Sequence, residues 1–338
     1  MVRLSDTKLK IGGIALAGRV LLAPMAGVTD APFRKLAMRF GASAVVAEMV
    51  ASGEMLQQTA AVRRKIAASG AGIKIIQLAG CDATSLAGAA RLAEGEGADI
   101  IDINMGCPAK RVINGWAGAA LMREPDQALR LLEAVIAAVA IPVTVKMRLG
   151  WDDASRNAPL IARRAAEAGA AALTVHGRTR AQFYQGQADW LAVGAVKAAV
   201  SVPVIVNGDV SDVASAQNAL ALSKADGVMI GRASIGQPWL VGNIAQSLAG
   251  IEGPGVQPTA NEIRLIMRAH YDDSLAHHGT VLGRRIVRKH LAAYVNRLFH
   301  RDDIAGDVRQ RLLSADDPAG VQQAIDDLFD SPPQRRAA

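Results

Sequence analysis

The stretch IIDINMG (100–106), followed by PDQALRLLEAVIAAVA (125–140) and PVTVKMRLG (142–150), decides the fold. Its first and third segments are short, almost continuously apolar and rich in Ile and Val, the pattern of strands buried on both faces. The segment between them is alanine- and leucine-rich with apolar residues at helical spacing. A strand, a helix and a second strand in that order place the two strands parallel, because parallel neighbours need a long crossover. The same alternation runs outward in both directions. VLLAPMAG (20–27), VVAEMVAS (45–52) and IKIIQLAG (73–80) come before, and ALTVHGR (172–178), PVIVNGD (203–209) and GVMIGRA (227–233) come after. DATSLAGAARLAEGEGA (82–98) and APLIARRAAEAGA (158–170) supply further helices. Eight strand and helix units in about 230 residues predict an α/β chain built as a (β/α)8 TIM barrel, with a doubly wound sheet as the rival.

The strand ends favour the barrel. Nearly every run closes on a polar residue: Glu48, Gln77, Asn104, Lys146, His176, Asn207 and Arg232. In a barrel these ends converge on one rim, where chemistry is done, whereas strands that simply end at water explain one or two such residues and not seven. At GIEGPGVQP (250–258) the Gly and Pro content rises and the alternation stops, so the expected organisation is a barrel over 1–249, a linker over 250–258 and a small helical domain over 259–338. Its first helix opens with Thr259 and Glu262 at capping-box spacing and ends at Gly279; others are expected over 281–300, 305–314 and 318–330, with SPPQRRAA (331–338) as a frayed tail.

Composition narrows the class. Of the 338 residues 51% are hydrophobic, enough for a large core, which excludes a disordered chain. No apolar run approaches the roughly 18 residues of a membrane span and no cleavage-site pattern follows the first apolar stretch, so a cytoplasmic protein with no membrane partner is expected. Cys81 and Cys107 are too few for a cluster or thiolate zinc site, and the histidines show no ligand spacing, so no metal is expected.

No GxGxxG follows the first strand and no phosphate loop of the GxxxxGK type occurs. The phosphate-sized signal lies instead at Asn207, Gly208 and Asp209 after the seventh strand, and at Gly231 and Arg232 after the eighth, where barrels often form an anion cup. Lys146, apolar on both sides within VTVKMRLG, is expected to point into the barrel, where a buried ammonium needs an anion beside it. Both cysteines follow strands, and position alone does not separate a reactive thiol from a core one.

The ordered series LLAPMAGVTDAPFR (21–34), EM (48–49), IQLAG (76–80), DINMGCPAK (102–110), VKMRLGW (145–151), HGRTR (176–180), VNGD (206–209) and IGRA (230–233) closely resembles the tRNA-dihydrouridine synthases along the whole chain. GRRIVRKH (283–290) resembles the bacterial B-type subfamily, which points to the uridine at position seventeen. The resemblance implies an enzyme that binds FMN, takes electrons from NADPH, with NAD(P)+ as acceptor in reverse, and reduces the C5=C6 bond of a D-loop uridine in tRNA. It implies flavin contacts from Pro24, Met25, Ala26, Gln77, Lys146 and His176, with Asn207, Gly208, Asp209, Gly231 and Arg232 at the phosphate. It further implies that Asn104, Arg148 and Arg178 hold the uracil, and that Cys107 donates a proton to C5 while Cys81 is structural. A monomer suffices for this chemistry.

Twelve aromatic residues are too few to expect a stacking platform of protein, so RNA affinity is expected from phosphate contacts. On a helix at about 100° per residue, Arg284, Arg285, Arg288 and Lys289 share one arc, opposite Ile286, Val287, Leu291, Tyr294 and Leu298. His290 falls on the packed side. Residues 264–301 carry 8 basic and 2 acidic residues, and 302–330 carry 2 and 8, so a charge dipole is expected with its acidic end turned from the RNA. Two rivals remain: a free-pyrimidine oxidoreductase, which leaves the basic helix without use, and a tRNA-binding factor with a vestigial flavin site, against which Cys107 and Lys146 argue.

Overall fold

The computed structural model describes residues 8–68, 70, 72–253, 255–299 and 306–330. A short antiparallel hairpin, β1 (Lys10–Ile11) and β2 (Ile14–Ala15), comes first. The parallel strands follow: β3 (Val20–Leu22), β4 (Ala44–Val46), β5 (Val50–Ala51), β6 (Lys74–Ala79), β7 (Ile100–Met105), β8 (Val143–Arg148), β9 (Ala172–His176), β10 (Val204–Asn207) and β11 (Gly227–Ile230). Strand β11 pairs with β3, β3 with β4, and β4 with β6, so the sheet closes into a ring; that excludes the doubly wound alternative. Ring position two is occupied by both β4 and β5, and Ala47–Met49 interrupts what the sequence presents as one run.

Side chains alternate across each strand, so every second residue enters the barrel. The lowest inward layer is apolar: Leu21, Val46, Ile75, Ile100, Ala172, Ile205 and Met229 pack with Leu9, Ile11 and Leu16 from the hairpin region, which closes that end. The outward side chains pack under the surrounding helices in one large core. Polar inward residues come only toward the other end, so the barrel has one sealed floor and one chemically equipped mouth.

Asn243 Nδ2 donates to the Val256 carbonyl at 2.9 Å, and among the described residues beyond it four helices follow: Ala260–His278, Thr280–Leu298, Gly306–Ser314 and Pro318–Asp330. The capping box at Thr259 forms as expected, with Thr259 N donating to Glu262 Oε2 at 2.7 Å. Residues 300, 305 and the tail 331–338 lie outside the described residues. The core of this region takes in Leu36 and Trp239 from the barrel side beside Met267, Leu291 and Tyr294. Polar contacts lock the seam: Asp30 N-caps the helix Ala31–Arg39 through Phe33 N and holds His278 Nε2 at 2.8 Å, while His290 reaches the Val28 carbonyl at 3.1 Å.

One electrostatic expectation is corrected. Among the described residues the acidic segment does not turn away from the basic helices: Arg264 and Arg268 pair with Asp326, and Arg284 pairs with Asp316 at 2.8 Å. Opposite charges on the two packed segments meet rather than separate, since Coulomb attraction and the shared core draw them together.

Candidate active site

Above the apolar floor, strand periodicity stacks Gln77, Asp102, Thr144 and Thr174, and then Asn104, Lys146, His176 and Asn207. Buried Asp102 accepts from Gln77 Nε2 and Thr144 Oγ1, both at 2.7 Å, and burial raises its carboxyl above the usual range. Asn104 Nδ2 donates to Gln77 Oε1 at 2.8 Å, and Asn104 Oδ1 accepts from Gly106 N and from Cys107 N at 3.1 and 2.9 Å. A polar ladder from Asp102 through Gln77 and Asn104 therefore fixes the loop that carries Cys107. Both amides have protein partners at each end, so here Gln77 and Asn104 act as floor and loop clamp. Cys107 is half-buried; Cys81 is exposed rather than packed.

The Lys146 ammonium donates to Asn207 Oδ1 at 3.0 Å, and Asn207 is itself held by donation to the Met229 carbonyl at 2.9 Å. Burial, followed by the charge of Arg148, brings Lys146 down to about 8, with Asp102 and Cys107 opposing. His176 lies next to it, driven well below the ordinary imidazole range by burial and four surrounding cations. Its Nε2 lies 3.3 Å from a guanidinium nitrogen of Arg178. Arginine can only donate, so neutral His176 accepts at Nε2 and carries its proton on Nδ1.

These groups open on a cavity of about 400 Å³. Of the expected cofactor residues, Pro24, Met25, Lys146, His176, Asn207, Gly208, Asp209, Gly231 and Arg232 line it; Ala26 and Gln77 do not. Tyr184 and Ser211 also line it, and sequence reading missed both. Gly208 is required: at φ +110 a side chain is strained, and a Cβ would stand 2.9 Å from that of Ala188 and 3.2 Å from the His176 ring. Cavity, cations and glycines suit a flat ring system ending in a phosphate: Lys146 lines the cavity from β8, held to Asn207 on β10, while Arg232 and Ser211 are exposed on its lining.

Arg148 and Arg178, expected at the uracil, are buried and spoken for. Arg148 donates to the carbonyls of Gly106, Thr179 and Phe183 within 2.9 Å, tying three mouth loops together. Arg178 holds Asp209 with two nitrogens and also the carbonyls of Gln185 and Gly186. Of the basic helix, Arg284 and Arg288 face the 314–316 turn, Arg288 donating to the Ser314 carbonyl at 3.2 Å; Arg285 and Lys289 are exposed, and Lys289 reaches the Gly27 carbonyl at the mouth. Trp116, Trp151, Phe183 and Tyr184, on loops after β7, β8 and β9, gather beside the mouth with arginines between them, a clustering that the count of aromatic residues did not anticipate. Sequence spacing could not show this, because it depends on loops that only barrel closure brings together.

Away from the mouth, Asp30, His270 and His290 bring ligand atoms within 4.8 Å of one another, a convergence of distant segments that spacing could not reveal. Asp30 already serves Phe33 N and His278, and burial keeps His270 and His290 neutral, down to about 3 and about 4. Among the described residues no helix is long and apolar enough to cross a membrane.

Fold and mouth together define a (β/α)8 barrel whose open end carries a cavity lined by Lys146 and Arg232. A family profile described as "Dihydrouridine synthase (Dus)" matches residues 21–330. A protein of Rhodobacter capsulatus named "Probable tRNA-dihydrouridine synthase" is 50% identical over 95% of this chain and 98% of its own length. One of Xanthomonas campestris named "tRNA-dihydrouridine synthase B" is 43% identical over 98% of this chain and 100% of its own. The solved structure of a 2-naphthoyl-CoA reductase complex shares the fold, with TM-score 0.57 and 12% identity over 73% of this chain and 52% of that one. The chain belongs to the dihydrouridine synthase family and is an oxidoreductase.

Proposed function

We propose that this protein reduces the C5=C6 bond of a D-loop uridine in tRNA, using bound FMN and NADPH. The flavin, when bound, supplies the hydride that C6 of the uracil receives; the chain supplies the rest. Arg232, Ser211 and the backbone at Gly208 and Gly231 would hold the phosphate, and Pro24 and Met25 would pack against the ring. Lys146, aimed by Asn207, would hold a positive charge toward the flavin and favour an anionic reduced form, and with its value near 8 it is mostly protonated at neutral pH. As C6 gains the hydride, negative charge spreads through C5 toward the C4 carbonyl, and Cys107 delivers its proton to C5. Bulk water restores that proton through the half-exposed face of the thiol.

The observation that carries this reading is the placement of half-buried Lys146 on a cavity ending at Arg232, with Asn104 clamping the Cys107 loop on the adjoining strand end. The test is to map dihydrouridine by reverse-transcription stops in tRNA from cells with and without the gene. One D-loop site should disappear with the gene; an unchanged map refutes the proposal.

A further inference from the structure

Along the outer rim of the mouth, aromatic rings alternate with guanidinium groups. Arg123 lies 6.0 Å from the ring centre of Trp116 and 5.1 Å from that of Trp151; Arg180 lies 4.5 Å from Trp151 and 5.9 Å from Phe183. Phe183 meets Tyr184 edge to face at 5.9 Å, and Tyr184 lines the cavity, with Arg232 4.8 Å from its ring. The strip thus runs without a break from the open surface to the cavity.

Three features separate it from ordinary packing. Trp116 is 57% and Phe183 39% exposed, so burial does not account for either ring. Both residues hold φ at +54, a conformation that bulky side chains rarely adopt and that five non-glycine residues share among the described ones. Strain kept at an exposed aromatic needs a reason other than the core. Finally, among the described residues neither Arg123 nor Arg180 forms an ion pair, and Arg180 Nε is buried without a hydrogen-bond partner.

A ligand completing this strip must offer flat rings to Trp116 and Phe183 and negative charge to the two arginines. Unpaired nucleic acid offers both at the repeat of a single nucleotide, and the cavity at the strip's inner end is where the proposed function places a uracil. We propose that the strip binds the unpaired nucleotides flanking that uridine, their bases stacking on Trp116 and Phe183 and their phosphates meeting Arg123 and Arg180. This rests on tRNA being the substrate.

Trp116→Gly tests it, because glycine removes the ring and also relieves the positive φ. A merely structural tryptophan would lose stability on this change. With full-length, FMN-loaded protein and an unmodified tRNA transcript, fluorescence anisotropy should show Kd raised about 5- to 100-fold in Trp116→Gly and in Phe183→Gly, while the thermal midpoint of Trp116→Gly holds or rises. Trp116→Tyr should restore most of the binding. Unchanged Kd in both glycine variants overturns the proposal, as does a fall in self-association by sedimentation with tRNA binding intact. Dihydrouridine formation by the unaltered protein is assayed in parallel: no product counts against the proposed function, whereas product with unchanged Kd in the variants counts against the strip alone.

Discussion

Arg178 grips both carboxylate oxygens of Asp209, at 2.9 and 2.5 Å, from a position almost wholly out of solvent. Burial alone would raise the Asp209 carboxyl, but the Arg178 hydrogen bonds, the Ala188 amide and the nearby cations more than offset it and hold it below the usual range. The pair joins the β9 and β10 loops at the cavity wall. Asp209→Asn keeps the shape but strands a buried guanidinium, and should cost about 3 kcal/mol of stability together with weakened FMN binding. Urea unfolding and a flavin titration measure both; a loss under about 1 kcal/mol would mean the pair is not structural.

Lys146 carries a pH signature. Lowered to about 8, it is charged below that pH and loses its charge as pH rises through it. Reduction of bound FMN by NADPH should slow above about pH 8, and Lys146→Met should be slow and flat across the same range. Stopped-flow absorbance of the flavin from pH 6 to 10 reads this directly.

The seam between barrel and helical region should be acid-sensitive. His270 and His290 are held neutral by burial, while Asp30 pulls the other way, and their folded values lie at about 3 and about 4 against 6.5 unfolded. A depressed imidazole contributes full stability above 6.5, and that contribution is lost as pH falls toward the folded value, about 2 kcal/mol for each at pH 5. Urea midpoints at pH 7 and pH 5 should differ accordingly, and His290→Gln should remove roughly half of the difference.

The basic helix divides into two kinds of residue. Arg285 and Lys289 are exposed, whereas Arg284 spends its charge on Asp316 and Arg288 on the carbonyls of Ser314 and Ala315. Arg285→Ala with Lys289→Ala should raise KM for tRNA and flatten the dependence of log K on log salt by about 1.5. Arg284→Ala should instead cost under about 1 kcal/mol of stability, since Asp316 is exposed, and leave the salt slope nearly unchanged. Equal salt slopes for the two variants would contradict this division.

The barrel was legible because its strands are continuously apolar and separated by helices, and Lys146 and Asn207 were legible as polar residues inside such runs. The break of the second strand at Ala47–Met49 was not, since VVAEMVAS reads as one run. Arg178 looked like a substrate ligand from its motif, but its partner Asp209 stands 31 residues away and only the β9–β10 pairing joins them. The alternation of Trp116, Arg123, Trp151 and Arg180 was hidden for the same reason: three loops share a rim that exists only after closure. Net charge by segment misled as well, because it says nothing about whether opposite charges face each other, as Arg284 and Asp316 do.

Cys107→Ala tests the central claim most directly. The loop is held by backbone bonds from Cys107 N to Asn104 and from Ala119 N to the Cys107 carbonyl, which alanine preserves. The variant should bind FMN and let NADPH reduce it at the wild-type rate, yet form dihydrouridine in unmodified tRNA at least about 100-fold more slowly, the scale expected for losing a positioned acid. Wild-type rates in both half-reactions would contradict the assignment of Cys107 as the proton donor.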